Sequence, residues 1–153
     1  MKIVVLKFGG TSVGTIEKIK KVTDIIIEHK KKKNKVIVVS SAMSGVTNDL
    51  IKKSKQISNN FIDSEYDVLV SSGEQVACSL IAGRLNHKGI KSRSWLGWQI
   101  PIFTNGPYTN SRIQQVNKNK LLRFLKEGGI PIITGFQGVN MNERVTTIGR
   151  GGS

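Results

Sequence analysis

The sequence has one cysteine, Cys78, so no disulfide can close within the chain, and a reducing cytoplasm is the expected setting. It has no apolar run approaching the roughly 18 residues of a membrane-spanning helix. Nor does it open with the apolar stretch and small-residue cleavage site of a signal peptide; Ile3 to Phe8 reads as a strand. Its two histidines, His29 and His87, stand near predicted helix ends without Cys or acidic partners at metal spacing, so no protein-built metal site is expected. There is no internal repeat, no low-complexity linker and no sign of a second domain.

Acidic residues are also scarce: 10 against 24 Lys and Arg, a net charge of +14. Such a balance raises the question of a nucleic-acid or anionic-membrane partner. The make-up argues otherwise. Lysine outnumbers arginine by 18 to 6, and Ile (19) and Asn (11) are abundant, the bias that A/T-rich codons impose. The lysines spread over several predicted helices, and the run Lys30 to Lys33 closes one of them, where cations suit the negative end of the dipole. Drift plus solvated helix faces is the preferred reading; nucleic acid and membrane are not expected partners. Trp95 and Trp98 flank a glycine and suit edge packing better than base stacking, and Cys78, among apolar helix residues, reads as a packed thiol.

What is present is alternation. Short apolar runs at 3–8, 36–39 and 130–134 read as buried strands. Between them lie amphipathic helices: 15–33; a segment through Leu50, Ile51 and Ile57 capped by Thr47 or Asn48; one through Val76 to Leu85 ended by Gly89; and one through Leu121 to Leu125, capped by Asn117 and stopped by Gly128-Gly129. Residues 67–73 could be strand or short helix, and 58–64 reads as a polar connection. Short strands are expected at 91–96, 101–104 and 112–116, and a hairpin over 139–148. The order predicts an α/β domain with a mostly parallel sheet covered on both faces.

In such folds ligands sit beyond the C-terminal ends of strands. Five segments of small residues are candidates. In Lys7-Phe8-Gly9-Gly10-Thr11-Ser12-Val13-Gly14, glycines let backbone N–H groups approach an anion, and Lys7 could neutralise a phosphoryl group in flight; a tight turn with a solvated lysine is the alternative. The spacing is neither the Walker pattern nor the dinucleotide one. Ser40 to Asn48 offers hydroxyls and amides to an anion, or merely a helix cap. Ser71-Ser72-Gly73-Glu74 is expected at a helix start, where Glu74 suits the dipole or pairs with a substrate ammonium. Thr134 to Gly138 follows the third strand. In Thr146 to Ser153, Arg150 could clamp a carboxylate in bidentate fashion.

In this order the segments resemble one family. Lys7-Phe8-Gly9-Gly10-Thr11-Ser12-Val13 is similar to the opening signature of aspartate kinases, and Val38 to Asn48 to their second motif. Ser72-Gly73-Glu74, Thr134 to Gly138 and Thr147 to Ser153 match later ones. The resemblance implies the amino-acid kinase (carbamate kinase-like) fold, a three-layer α/β/α sandwich, with residues 1–153 forming the N-terminal half of that domain. It implies ATP-dependent, Mg2+-assisted phosphorylation of the L-aspartate β-carboxylate. Lys7, Phe8, Gly9 and Gly10 would meet the ATP phosphates, with Lys7 catalytic. Ser41, Thr47, Glu74, Phe136, Arg150, Gly151, Gly152 and Ser153 would hold aspartate, Glu74 at its ammonium and Arg150 at its α-carboxylate.

The sequence departs from the family pattern at Asn110, where an acid is usual two positions before the arginine matching Arg112. The family's last motif also continues with an aspartate after the position of Ser153, then the nucleotide-gripping half and ACT domains. The expectation is therefore a truncated kinase domain with little activity and marginal stability alone, needing self-association or a complementing fragment. The other expectations are a different amino-acid kinase, acting on glutamate, acetylglutamate or a nucleoside monophosphate, or a non-catalytic basic remnant that binds nucleic acid nonspecifically.

Overall fold

The computed structural model of the chain describes residues 2–149. Its elements run β1 (Ile3–Phe8), α1 (Ile16–Lys31), β2 (Lys35–Ser40), α2 (Val46–Ile57), α3 (Asp63–His87), β3 (Ser92–Trp95), β4 (Ile102–Asn105), β5 (Arg112–Val116), α4 (Asn119–Lys126), β6 (Ile130–Thr134), β7 (Gln137–Val139) and β8 (Val145–Thr147).

The main sheet has strand order β1-β2-β6-β3, and every pairing in it is parallel. Alternate side chains point to opposite faces of a strand. Val36, Val38, Ile130 and Ile132 therefore meet Ile26 of α1 and Ile81 and Leu85 of α3 in one core. On the other face Ile133 packs with Trp95 and with Leu121 of α4, with Ile37, Val39 and Phe124 against them. This is the expected layered arrangement. Burying a side chain such as Ile132 or Leu85 is worth about 1.5–3 kcal/mol, so the two apolar faces of β2 and β6 fix the layer order. Thr23 and Arg84 tie the two covering helices: the Arg84 Nε–H donates to Thr23 Oγ1 at 2.7 Å. The edge is less well covered, since β1 pairs only with β2 among the described residues and leaves Ile3 48% and Val5 60% exposed.

A second sheet, β5-β4-β7-β8, stands beside the first. Its β4–β5 and β7–β8 pairs are antiparallel, and β4–β7 is parallel. The expected hairpin is present, but its first strand begins at Gln137 rather than Val139. The N-cap of α4 is Lys118, with no side-chain cap bond, rather than the expected Asn117, whose side chain accepts from the Asn119 N–H at 3.2 Å.

Two further helix expectations are corrected. The N-cap of α2 is Gly45, in the left-handed region at φ +85 with no side-chain cap bond, and not Thr47 or Asn48. The second concerns α3, which is continuous from Asp63 through residues 67–73, so Ser71 to Glu74 lie inside a helix and not at a helix start. Helix continuity through two serines and a glycine has local causes. The Ser71 and Ser72 hydroxyls donate to the Val68 and Leu69 carbonyls at 3.0 and 2.7 Å, keeping their hydrogen bonds within the helix. Gly73 costs about 1 kcal/mol against alanine in helix propensity, and tertiary packing requires it.

Candidate active site

The loops after β1 and β2 fold onto each other. Ser41 N–H donates to the Phe8 carbonyl at 3.0 Å. A Cβ at Gly10 would stand 3.0 Å from the Ala42 carbonyl oxygen, and one at Gly14 would stand 3.0 Å from Ser44 Cβ. Those two glycines are what permit the approach. Beneath the second loop runs α3. A Cβ at Gly73 would fall 2.9 Å from Ala42 Cβ, closer than real contacts allow, and a tight 3.1 Å from Val46 Cγ1.

The next residue is Glu74, only 3% exposed. Its Oε1 accepts from the Ala42 N–H at 3.1 Å, while its Oε2 has no hydrogen-bond partner among the described residues. Burial pushes the Glu74 carboxyl from 4.5 up to about 7, with the Ala42 N–H pulling the other way. One turn along, Cys78 is packed in the core, and burial, then the nearby Glu74 charge, raises its thiol to about 12. It is not a nucleophile at neutral pH.

Glu74 lines a cavity of about 270 Å³ together with Gly10, Ser41, Thr47 and Phe136. Sites for drug-sized ligands span about 300–1,000 Å³, so this one suits a small molecule. Phe136 closes one side with a left-handed backbone, φ +67. The Gln137 N–H donates to the Gly135 carbonyl at 2.8 Å across it, a three-residue γ-turn, and the Ile148 N–H holds the Phe136 carbonyl at 3.0 Å. Such a conformation costs on the order of 1–3 kcal/mol and persists because its surroundings hold it.

The structure thus brings together five expected site residues from four separate segments. Lys7, Phe8 and Gly9 are not in the cavity wall. Lys7 stands exposed near the end of β1, on the sheet face that carries its register partner Val39. The Phe8 side chain packs into the core, leaving its backbone as the part that faces the loops. Gly9 has open space where a Cβ would be. Arg150, Gly151, Gly152 and Ser153 lie outside the described residues.

A residue that the sequence reading missed is Asp67. It is fully buried, and it accepts from Thr109 N–H, from Thr147 N–H and from the Thr147 hydroxyl. With residues 67–73 open between strand and helix, its spacing to Glu74 carried no signal; on a helix the two share a face. The basic and aromatic residues near Trp98 form a separate groove of about 600 Å³. There Arg93 stacks over Trp95 at 4.1 Å, Trp95 meets Phe124 edge-on at 5.9 Å, and Lys91 pairs with Glu127 at 2.7 Å. Trp95 is packing, as expected, and much of the groove's charge is already engaged.

The sequence pattern of the amino acid kinase family matches residues 2–153. The chain belongs to that family. Among amino acid kinases its curated relatives include the aspartokinase of Geobacillus stearothermophilus, 48% identical over 153 residues, covering all of this chain and 38% of that protein. The aspartokinase of Rickettsia conorii is 46% identical over 156 residues, again covering all of this chain and 39% of that one. The chain therefore spans about two-fifths of the length of these relatives. Among solved amino acid kinases, the aspartate kinase from Synechocystis superposes with a TM-score of 0.82 at 36% identity, covering 100% of this chain and 25% of that one. E. coli aspartokinase III, solved with aspartate and ADP, has a TM-score of 0.84 at 23% identity over 99% of this chain and 44% of that one, a likeness of fold. No described helix of this amino acid kinase is long and apolar enough to cross a membrane.

Proposed function

We propose that this chain carries the aspartate-holding part of an aspartate kinase, which transfers the γ-phosphoryl group of ATP to the β-carboxylate of L-aspartate. The observation that carries this reading is Glu74, a buried carboxylate with one oxygen committed to Ala42 and the other unpartnered at a small cavity. A buried carboxylate is costly without a partner, and a substrate ammonium supplies one. Relatives named aspartokinase at 46% and 48% identity support the choice among amino acid kinases.

In this reading Glu74 takes the α-ammonium, and Ser41 and Thr47 offer hydroxyls to the substrate while Phe136 walls the pocket. Arg150 clamps the α-carboxylate, with Gly151, Gly152 and Ser153 beside it. Lys7, with the backbone of Phe8, Gly9 and Gly10, meets the phosphates. A β-carboxylate oxygen attacks the γ-phosphorus, the bond to the bridging oxygen breaks, ADP leaves, and 4-phospho-L-aspartate forms. Catalysis is positioning plus neutralisation of charge on the transferring group. Magnesium accompanies the nucleotide phosphates; the described residues hold no cluster of three His, Cys, Asp or Glu side chains to cage it, and no step is assigned to it. The enzyme would work in the cytoplasm, at the head of lysine (diaminopimelate), threonine and methionine biosynthesis.

The test is titration of L-aspartate into the labelled chain, followed by NMR. Shifts at Ser41–Thr47, Glu74, Phe136 and residues 150–153 are expected; an unperturbed spectrum at millimolar aspartate would sink the reading. Trapping of the acyl phosphate as its hydroxamate, with ATP and Mg2+ and a Lys7→Ala control, then measures transfer. Any product formed should vanish in the control.

A further inference from the structure

We infer that the groove between β3 and α4 is a second binding site, for a small molecule that joins a planar ring to a phosphate or carboxylate group. The site does not rest on the aspartate-kinase reading. Among the described residues it shares no lining residue with the cavity at Glu74.

Two local periodicities build the groove. Along α4, Lys120, Arg123 and Phe124, with Glu127 just past the helix, recur at three- and four-residue spacing and form one wall, while Leu121 and Leu125 are buried. On β3, Arg93 and Trp95 are two residues apart and share a face of the strand. Trp98, half-exposed, adds to the wall from the segment that follows β3. The enclosed volume of about 600 Å³ is in the range of small-molecule sites, about 300–1,000 Å³, and favours such a ligand over a polynucleotide.

The charges in the groove do not balance. Glu127 is its one acid, and Lys91 takes that acid up at 2.7 Å. Lys91 chiefly holds the Glu127 carboxyl below its ordinary range, and Arg123 adds only a minor pull. Arg93, Lys120 and Arg123 form no ion pair among the described residues. Arg93 stacks on Trp95 through the flat face of its guanidinium, and its N–H donors lie in the other direction, in the guanidinium plane. Lys120 Nζ donates to the Gln99 carbonyl at 3.3 Å, which keeps the cation at the groove without neutralising it. Three cations gathered there repel one another, and a bound anion relieves that repulsion.

Trp95 adds an independent observation. It is 5% exposed, and its buried Nε1–H has no hydrogen-bond partner among the described residues. A buried donor left unpaired is costly, and an oxyanion oxygen supplies the acceptor. Charge alone would suit any anion. The exposed indole of Trp98 beside these cations selects one that carries a ring, because planar rings stack on an indole face.

Trp95 and Trp98 are the two tryptophans of the chain, so indole fluorescence and the two indole N–H signals in an NMR spectrum report on this groove. The probes are AMP, a ring with phosphate; phenylacetate, a ring with carboxylate; adenosine; and inorganic phosphate. AMP or phenylacetate should perturb both indoles and bind at least about tenfold more tightly than adenosine or inorganic phosphate. Whichever of the two binds more tightly identifies the anion. The Trp95 indole N–H should move downfield as it gains an acceptor. Arg123→Gln and Lys120→Gln, both at exposed positions, should each weaken that probe about fivefold and leave the thermal melt unchanged. Trp98→Leu should remove the preference for a ring and leave the binding of inorganic phosphate as it was. Indoles untouched by both AMP and phenylacetate overturn the inference, as does adenosine or inorganic phosphate bound as tightly as either. Oligothymidylates are the control: affinity that climbs with their length and falls steeply with salt would make the groove a nucleic-acid surface and overturn it as well.

Discussion

The Ala42 N–H donates to Glu74 Oε1 at 3.1 Å, joining residues 32 positions apart. Through that bond the loop after β2 takes its position from the middle of α3, and the other carboxylate oxygen is left for the cavity. The bond also divides the roles of Glu74 into one structural oxygen and one binding oxygen, which a neutral isostere can separate.

Glu74→Gln retains an acceptor for Ala42 and removes the charge. A hydrogen bond to a charged group contributes about 1.5–3 kcal/mol, so L-aspartate affinity should fall by roughly 10- to 100-fold. Folding should be unharmed, and above pH 7 the variant should melt higher than the parent, since no buried charge remains. Calorimetric titration and thermal melting check the two halves; a variant that binds aspartate as tightly as the parent removes the ammonium role.

The pH dependence has a definite sign. The folded Glu74 carboxyl titrates at about 7, above its ordinary 4.5, so between these values the folded state holds the proton more tightly than the unfolded chain. Its contribution to stability is full below 4.5 and is lost as the pH rises through 7, roughly 3 kcal/mol in all. Aspartate affinity runs the other way: an ammonium selects the ionised carboxylate, so affinity should climb about tenfold per unit up to pH 7 and then level off. Urea melts and aspartate titrations across pH 5–8.5 measure both, and the slope differences should disappear in Glu74→Gln.

Gly73 and Gly83 lie in the same helix and should respond oppositely to alanine. A Cβ at Gly83 meets nothing within 4 Å, so Gly83→Ala should stabilise by about 0.5–1 kcal/mol. At Gly73 the same Cβ strikes Ala42 and Val46, so Gly73→Ala should destabilise by about 1–3 kcal/mol despite the better helix former. It should also weaken aspartate binding, by moving Ala42 off Glu74. Denaturant melts of the two variants provide the comparison; a stabilised Gly73→Ala would mean that the loop gives way at no cost.

Val5 is 60% exposed on the edge strand β1, beside Ile3 at 48%. Edge strands with exposed apolar residues invite association, and lysine is a common remedy. Val5→Lys should lower light scattering of concentrated samples while changing folding stability by no more than about 0.5 kcal/mol. Scattering that is indifferent to this change would place the association, if any, on another face.

The loops of the site were legible because their chemistry is local. A short apolar run that ends in glycines or serines announces a strand and the turn after it, and this located the segments at Gly10, Ser41 and Phe136. Glu74 was found through its neighbours in sequence but set in the wrong context. Two serines and a glycine read as a break, because propensity weighs each residue without its partners. The helix continues there since Ser71 and Ser72 bond back into it and Gly73 leaves room for Ala42 and Val46.

By itself, then, the sequence determined the alternation of strands and helices, the parallel main sheet and four of the segments that meet at the cavity, all consequences of period and turn chemistry over a few residues. Tertiary structure alone decided that Gly45 caps α2, that Asp67 takes hold of Thr147 and that Glu74 is buried with one free oxygen. Each of these depends on what a residue meets from 30 to 80 positions away or on a backbone shape imposed by that meeting. Burial and hydrogen-bond partners are properties of the packed chain, and no local pattern encodes them.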